Sequence, residues 1–268
     1  MINLAGHEAR WLAASAELAR AGLAPERLDA VAGVGLPADA RTGLYDPARN
    51  AREYHKPLCA GEIGCYASHL EAWRRLVDSG RAAAAVFEDD IEADGDLPAV
   101  LEAIERIDVP WDMVKLVGRR RELVRGRASL VAGRDLVGYR RVPSLTAAYV
   151  VTRRGAEKLL ARRQPFGRPI DVDLRHWWEC DLRVLGIDPY PVRLASASCR
   201  STILHREARG GAAERWRKLA WQLRYSWRNR LATQAQPRLV RAFVESAAGG
   251  AAEWRGRPRP ADAFGHGS

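Results

Sequence analysis

The segment AAAAVFEDDIEAD, residues 82–94, places a short run of small and apolar residues directly before Glu88, Asp89 and Asp90. The run 82–87 is typical of a buried strand, and ligands of open α/β sheets bind at the carboxyl ends of strands. Because side chains alternate, Glu88 and Asp90 are predicted to share one side. Carboxylates this close repel one another unless a cation is present. The segment therefore predicts a Mg²⁺ or Mn²⁺ site, with a solvated acidic turn as the alternative.

Helix and strand patterns alternate on both sides of this segment. Helical patterns cover residues 7–22, 63–79 and the segment DLPAVLEAIERI, and WDMVKLVG, SLTAAYVV and LRVLGIDPYPVRL have strand character. Residues 37–60 are rich in Pro, Gly and Asn and are predicted to form a surface loop. The alternation predicts an α/β domain with a mostly parallel sheet flanked by helices, over residues 1–205. A basic helical extension is predicted over 206–231, followed by a weakly ordered tail, 232–268.

Charge and cysteine usage narrow the class of protein. The formal net charge of +10 favours an anionic partner: nucleic acid, a lipid headgroup surface or a phosphorylated substrate. The chain shows neither an apolar run of about 18 residues nor the apolar core of a signal peptide, so we expect a cytoplasmic protein. Cysteines at 59, 65, 180 and 199 match no zinc pattern and are predicted to be reduced thiols.

Two adjacent motifs carry a resemblance to a known family. GEIGCYASHLEAW is followed by the apolar strand that ends in EDD, and together these resemble glycosyltransferase family 25, which includes lipopolysaccharide galactosyltransferases. The motif residues are Gly61, Glu62, Ile63, Gly64, Cys65, Ser68, His69 and Trp73. Weaker matches follow in WDMVKLVG, AAYVVTRRGAEKLL and RPIDVDL, so that the likeness spans about residues 2–203.

The resemblance implies a GT-A type fold and an inverting transfer of a sugar from a nucleotide diphosphate. Galactose is the first choice, with UDP-galactose or UDP-glucose as donor and a lipid-linked lipopolysaccharide or related glycan as acceptor. Asp90, helped by Glu88 or Asp89, would hold the metal near the donor. Ser68 and His69 are expected near the donor or as a polar pair on the helix surface. Glu62 is expected either to contact the sugar or to cap its helix.

Further candidates come from the second half of the chain. Asp171 and Asp173 form a second D-x-D and are candidates for the general base or for a second metal ligand, although a Pro-Asp turn that caps a helix from near Leu174 would also explain one of them. Asp112 is predicted to be structural. His205 is a weaker metal candidate, since GT-A enzymes often use a late histidine. Trp177 and Trp178 could form an acceptor platform, or belong to the core.

Basic residues form two groups. The segment GRRRELVRGR could border the pocket and bind a phosphorylated acceptor, or form a solvated loop; it carries Arg119, Arg120, Arg121, Arg125 and Arg127. Within 214–231, an apolar series at helical spacing accompanies basic residues; its members are Trp216, Ala220, Leu223, Trp227 and Leu231. Such a helix could lie on the inner face of the cytoplasmic membrane or pack on the catalytic domain. A catalytically silent binding protein and, less favoured, a nucleic-acid-binding protein remain the rival functions.

Overall fold

The computed structural model describes residues 1–119, 122–195, 212–235, 240–243 and 245. Within these ranges the helices are α1 (Glu8–Arg20), α2 (Ala38–Leu44), α3 (Pro47–Glu53), α4 (Ala60–Asp78), α5 (Leu97–Glu105), α6 (Arg153–Arg162), α7 (Ile170–Asp173) and α8 (Ala212–Ala235), with a short 3₁₀ helix, Trp177–Glu179. The strands are β1 (Ile2–Asn3), β2 (Leu28–Asp29), β3 (Ala83–Phe87), β4 (Ile91–Ala93), β5 (Met113–Lys115), β6 (Val124–Val131), β7 (Arg134–Tyr139), β8 (Ala148–Thr152), β9 (Val184–Asp188) and β10 (Val192–Leu194).

The central sheet is mixed, so the predicted mostly parallel sheet is wrong. Its six strands run in the order β3-β8-β5-β9-β7-β6, and only the β5–β9 pair is parallel. Strand β8 lies antiparallel between β3 and β5. A parallel neighbour would need a crossover connection after β5, usually a helix. The chain forms the antiparallel β6–β7 pair there instead, and β8 then runs antiparallel to β5. The segment GRRRELVRGR, expected to form a loop, provides the start of β6.

Strands β3, β5 and β9 nevertheless run in one direction, because β8 is antiparallel to both β3 and β5 and β9 is parallel to β5. Strand β1 pairs in parallel with β2, and Ile2 forms a parallel bridge to Glu88. The carboxyl ends of β1, β3 and β5 therefore meet at one edge of the sheet. The acidic turn lies at this edge, as the sequence predicts.

Helices cover both faces of the sheet. One core cluster joins the buried faces of α1 and α5 to Val114, Val150 and Leu136 of the sheet. The other joins α4 and α6 to Met113, Tyr149 and Val151. Adjacent residues of β5 and β8 thus point into different clusters, as the strand periodicity requires. The result is a layered α/β domain in which the acidic turn follows a strand of the packed central sheet.

Two further segments differ from expectation. Residues 37–60 contain helices α2 and α3 rather than one loop, since Asp46 accepts hydrogen bonds from Ala48 N and Arg49 N and so caps α3. At the other end, α8 continues past the predicted limit, and Val240 is buried in the core cluster of α1 and α5. None of the helices in the described ranges combines the length and apolar character that crossing a bilayer requires.

Candidate active site

The acidic turn meets α1 and β1 through Asp89. Asn3 Nδ2 donates to Asp89 Oδ2 at 2.6 Å, and the Arg10 guanidinium forms an ion pair with Asp89 Oδ1. Arg10 also approaches Asp90 Oδ2 at 3.6 Å. Both oxygens of Asp89 therefore have partners, and this carboxylate anchors the turn to the first helix.

Asp90 is the carboxylate of the turn whose charge is least compensated. Its Oδ1 atom is buried and has no hydrogen-bond partner among the described residues. Burial raises the pKa of Asp90 from its ordinary value of 3.8 to about 6, and the charges of Glu88 and Asp89 act in the same direction against the opposing charge of Arg10. A buried carboxylate oxygen without a partner is costly, and a cation would satisfy it.

Glu88 is held by a chain of hydrogen bonds that begins in the core. Trp73 Nε1 donates to the Tyr149 hydroxyl at 2.9 Å, which lies 2.8 Å from His69 Nδ1, and His69 Nε2 lies 3.3 Å from Glu88 Oε1. Thr146 donates to the same Glu88 oxygen at 2.7 Å. The Tyr149 oxygen accepts from the Trp73 indole, so its own O–H is free to donate to His69 Nδ1. His69 then carries its proton on Nε2 and donates it to Glu88 Oε1.

These hydrogen bonds keep Glu88 ionised. Burial alone would raise the pKa of Glu88, but the hydrogen bonds from His69 and Thr146 outweigh it and lower the pKa. His69 is fully buried. It is therefore neither a surface residue nor an isolated core histidine: its ring orients the carboxylate that begins the acidic turn.

Asp171 faces the same region from the start of α7. Burial raises the pKa of Asp171 to about 6, and the charge of Glu62 adds to this effect. The buried Lys115, at the end of β5, has its pKa lowered by burial to about 8, against the opposing charges of Asp171 and Glu88. Burial, followed by the charges of Glu88 and Asp171, raises the pKa of the Cys65 thiol well above its usual value. The charges of Asp171 and Glu88 thus act on one buried lysine, whose amine donates to the Leu145 carbonyl.

Asp173, the partner of Asp171 in the second D-x-D, lies in a separate network. Its carboxylate is 2% exposed and pairs with Arg163 at 3.0 Å and Arg168 at 2.8 Å. Tyr66 donates to its other oxygen at 2.6 Å. Burial would raise the pKa of Asp173, but both arginines and Tyr66 lower it. Its catalytic role stays a prediction, and the geometry gives it a structural one. The helix here begins at Ile170 after Pro169, not near Leu174.

Two polar residues of the motif GEIGCYASHLEAW, Glu62 and Ser68, make structural contacts. Glu62 Oε2 accepts from Cys59 N at 2.8 Å and so caps α4, one of its two expected roles. Ser68 accepts from Val31 N at 2.8 Å and donates to the Gly64 carbonyl at 2.7 Å. A Cβ atom on Gly64 would lie 2.4 Å from the Val31 oxygen. Donor contacts by Glu62 and Ser68 stay predictions, while their observed bonds fasten α4 beside the site.

The remaining candidates are dispersed. Trp177 is buried in the core, and Trp178 stacks beneath α8, 5.7 Å from the Tyr225 ring. Arg119 is exposed, whereas Arg120, His205 and Cys199 lie outside the described residues. Asp112 accepts from Lys158 Nζ and Arg183 N, each at 2.8 Å, which is the structural role predicted for it. Of the arginine-rich segment, Arg127 pairs with Asp135 at 2.9 Å. The cysteines at 59, 65 and 180 are free.

Two sets of donor atoms in this region suit different metal ions. Asp90 and Glu88 offer the oxygen ligands that Mn²⁺ and Mg²⁺ prefer, and the unpartnered Asp90 Oδ1 fits this role. Cys65, His69 and Glu88 offer a second set, whose ligand atoms lie within 4.8 Å of one another. Sulfur and imidazole favour softer ions. Cys65, His69 and Glu88 together could therefore hold a cation.

Sequence reasoning missed several residues of the site. Lys115 carried a signal, because a lysine inside the apolar strand WDMVKLVG is unusual and invites a partner. No feature of the sequence marked Arg10, Asn3 or Thr146 as site residues, since each is an ordinary polar residue within its own segment. Tyr149 lies in the segment AAYVVTRRGAEKLL, and its neighbours in the sequence give no sign of its polar contacts. Their roles follow only from contacts with residues far away in the chain.

Comparison with known proteins supports the resemblance seen in the motifs. Residues 1–124 match the model of Glycosyltransferase family 25 (LPS biosynthesis protein). The chain is 32% identical over 179 residues to a Bos taurus protein named probable inactive glycosyltransferase 25 family member 3, covering 58% of this chain and 28% of that protein. It is 28% identical over 167 residues to procollagen galactosyltransferase 1 of Danio rerio, covering 55% and 26%.

A third relative, procollagen galactosyltransferase 1-A of Xenopus laevis, is 35% identical over 126 residues, covering 45% of this chain and 20% of that protein. The chain thus spans about a quarter of the length of the curated relatives it matches. The matched region contains α4 and the acidic turn, the two elements that build most of the site. Over residues 1–124, this chain is therefore similar to glycosyltransferase family 25.

Proposed function

We propose that this protein is a metal-dependent, inverting glycosyltransferase of GT-A type that transfers a sugar from a nucleotide diphosphate. The observation that carries the proposal is the buried, unpartnered Oδ1 of Asp90, beside the ionised Glu88 at the carboxyl end of β3. The family match over residues 1–124 supports the reaction class. Parallel strands β1, β3 and β5 that end at the acidic turn support the GT-A assignment.

The metal site would use Asp90 and Glu88. A Mn²⁺ or Mg²⁺ ion held there would stabilise, as a Lewis acid, the negative charge that develops on the leaving diphosphate. Asp89 keeps the turn in place through Asn3 and Arg10. The hydrogen bond from His69 orients Glu88, so that its charge is present before the donor binds.

Asp171 is the candidate for the general base. An inverting transfer needs a group that removes the proton from the acceptor hydroxyl, and such a base works best with a pKa near the operating pH. The pKa of Asp171 is raised to about 6, whereas Asp173 is neutralised by two arginines. At neutral pH Asp171 is therefore ionised and basic enough to accept the proton, with the positive Lys115 near it.

The proposal also assigns the sugar that is transferred and the acceptor that receives it. Galactose from UDP-galactose is the expected transfer, since two of the relatives above carry the name procollagen galactosyltransferase. The acceptor is a lipid-linked, lipopolysaccharide-type glycan, in keeping with the family's description as LPS biosynthesis proteins. An anionic, lipid-anchored acceptor also suits the net charge of +10. We therefore propose the inner face of the cytoplasmic membrane as the place where the transfer occurs.

Donor turnover tests the proposal directly. Purified protein is incubated with UDP-galactose or UDP-glucose, with Mn²⁺, Mg²⁺ or a chelator, and released UDP is measured. We expect metal-dependent release that Asp90→Asn abolishes and that Asp39→Asn, a change on the exposed helix α2, leaves unchanged. Metal-independent release, or equal release by Asp90→Asn, would contradict the assigned site.

A catalytically silent binding protein is the second candidate, favoured by the word inactive in the name of the Bos taurus relative. Binding and turnover separate the two. A silent protein would bind UDP in a metal-dependent manner, measured by calorimetry, but would release none from either sugar nucleotide. Metal-dependent turnover excludes this candidate.

A further inference from the structure

Helix α8 is anchored to the domain by one face. Trp221 packs edge-on against Tyr54, with ring centroids 5.5 Å apart, and Tyr225 packs against His176 at 5.0 Å. Asn229 donates to the Arg140 carbonyl at 2.8 Å. These residues recur every four positions and are buried. The core-facing stripe of the helix is therefore already used, and α8 is held firmly against the domain.

The opposite face of α8 is apolar and exposed. At about 100° per residue, Trp227 lies on the far side of the helix from Tyr225. The large apolar residues of this outward face are Trp216 (69% exposed), Leu219 (44%), Leu223 (63%), Trp227 (63%) and Leu231 (47%). They extend along roughly 22 Å of helix at 1.5 Å per residue. Isolated exposed leucines are ordinary, but a continuous apolar stripe with two tryptophans marks an interaction surface.

The charge of the helix selects the kind of surface it meets. Residues 212–235 contain six basic side chains and one acid, Glu214; the basic residues are Arg215, Arg217, Lys218, Arg224, Arg228 and Arg230. Arg224 donates to the Arg52 carbonyl at 2.6 Å and Arg228 lies 4.0 Å from Glu179, so both contact the domain. Arg217 and Arg230 are exposed; at about 100° per residue, Arg217 borders the outward face and Arg230 lies within it. An apolar stripe with tryptophans and an arginine border is typical of helices that lie in the interface of an anionic membrane.

We propose that the outward face of α8 docks onto the surface of an anionic lipid bilayer, with the helix axis parallel to the membrane plane. Trp216, Leu223 and Trp227 would enter the headgroup region, while the exposed Arg217 and Arg230 pair with lipid phosphates. Docking by this face leaves the domain contacts of Trp221 and Tyr225 intact. The proposal concerns association with lipid and does not depend on the proposed transfer activity.

The position of α8 would also bring the candidate site close to the lipid. Trp221 contacts Tyr54, and burial, followed by the charges of Asp171 and Glu62, raises the pKa of the Tyr54 phenol. Helix α8 thus contacts a residue on which the charge of the candidate base acts.

Sedimentation with sucrose-loaded vesicles tests the proposal on the full chain. Vesicles of phosphatidylcholine are compared with vesicles that contain about 30% phosphatidylglycerol, at low and at raised salt. We expect binding to the anionic vesicles that weakens with salt. The double variant Leu223→Ser, Trp227→Ser should bind at least about tenfold more weakly. Arg217→Gln with Arg230→Gln should lower binding roughly 30-fold, from about 1 kcal/mol for each basic residue.

A matched control separates the α8 face from general surface hydrophobicity. Leu12 and Val34 are 64% and 81% exposed and lie outside α8. The variant Leu12→Ser, Val34→Ser should bind vesicles as the wild type does. Equal binding by the α8 variants and the control, or no wild-type preference for anionic lipid, would overturn the proposal. A second result would also overturn the proposal: light scattering shows that the wild type is a dimer, only the α8 apolar variant dissociates it, and the dimer does not bind vesicles.

Discussion

Replacing Asp90 by Asn should stabilise the metal-free protein at neutral pH while it removes the proposed metal site. The substitution keeps the shape of the side chain and deletes the charge that Glu88 and Asp89 repel. Arg10 retains its ion pair with Asp89. Functional groups held in unfavourable surroundings commonly lower stability in exchange for activity, and Asp90 is the candidate for such a group here.

The magnitude follows from the pKa of Asp90, which is raised from 3.8 to about 6. The native protein holds this proton more tightly than the unfolded chain does, so the free energy of unfolding falls as pH rises between these two values. At about 1.4 kcal/mol per pH unit, the full cost above pH 6 approaches roughly 3 kcal/mol. The side chain is 21% exposed. Solvent screening therefore reduces the expected gain for Asp90→Asn to about 1–2 kcal/mol.

Urea unfolding at pH 7.5 and pH 4 measures this gain, with and without Mn²⁺. We expect Asp90→Asn to exceed the wild type at pH 7.5 and to match it closely at pH 4, where the wild-type carboxyl is largely protonated. Added Mn²⁺ should raise the stability of the wild type by mass action and leave that of the variant unchanged. Asp173→Asn is the control in which the free energy of unfolding should fall rather than rise. It breaks a buried ion pair with two arginines and should lower that free energy by about 3–5 kcal/mol.

The reasoning is refuted if Asp90→Asn is less stable than the wild type at pH 7.5 in the absence of metal. That result would mean that Arg10 already neutralises the turn. A gain of equal size at pH 4 and pH 7.5 would also count against it, since charge repulsion must disappear when the carboxyl is protonated.

Three further changes probe the site and its support. Asp171→Asn should lower the transfer rate by at least about 100-fold without weakening UDP binding, and the wild-type rate, measured against pH, should be lost as pH falls below about 6. Tyr149→Phe removes the hydroxyl that accepts from Trp73 Nε1 and lies 2.8 Å from His69 Nδ1. It should lower stability in urea unfolding by about 1–3 kcal/mol, because the buried indole N–H loses its acceptor and His69 Nδ1 loses its donor. Gly64→Ala should lower the melting temperature, since its Cβ would lie 2.4 Å from a backbone oxygen, whereas Gly61→Ala, whose nearest neighbour is 3.9 Å away, should not.

Local pattern was sufficient for the elements that build the site. The apolar run before Glu88 predicted β3, observed as Ala83–Phe87, and Gly80 predicted the end of α4, which stops at Asp78. Apolar periodicity also identified α5 and the helix that became α8. In each case the burial of one face and the signals at the ends of the element are encoded by neighbouring residues.

The direction of the strands was not encoded in this way. Strand β8 has the same apolar character whether it runs parallel or antiparallel to its neighbours. Its direction depends on the β6–β7 pair, and the arginines of that segment suggested a solvated loop. Likewise, the apolar series in α8 could have faced the domain, but Trp221 and Tyr225 occupy that side and leave Trp227 in solvent.

The sequence by itself determined the acidic turn, the helix motif before it and the family resemblance, because these depend on residue types at short, regular spacing. Only the tertiary structure separated Asp171 from Asp173, which are equivalent in the sequence as two acids of one D-x-D. Packing places Asp173 between Arg163 and Arg168, and leaves Asp171 near Glu62 and Lys115 with a raised pKa. The protonation behaviour of a carboxylate depends on burial and on charges brought close by folding, and neither is a property of its neighbours in the chain.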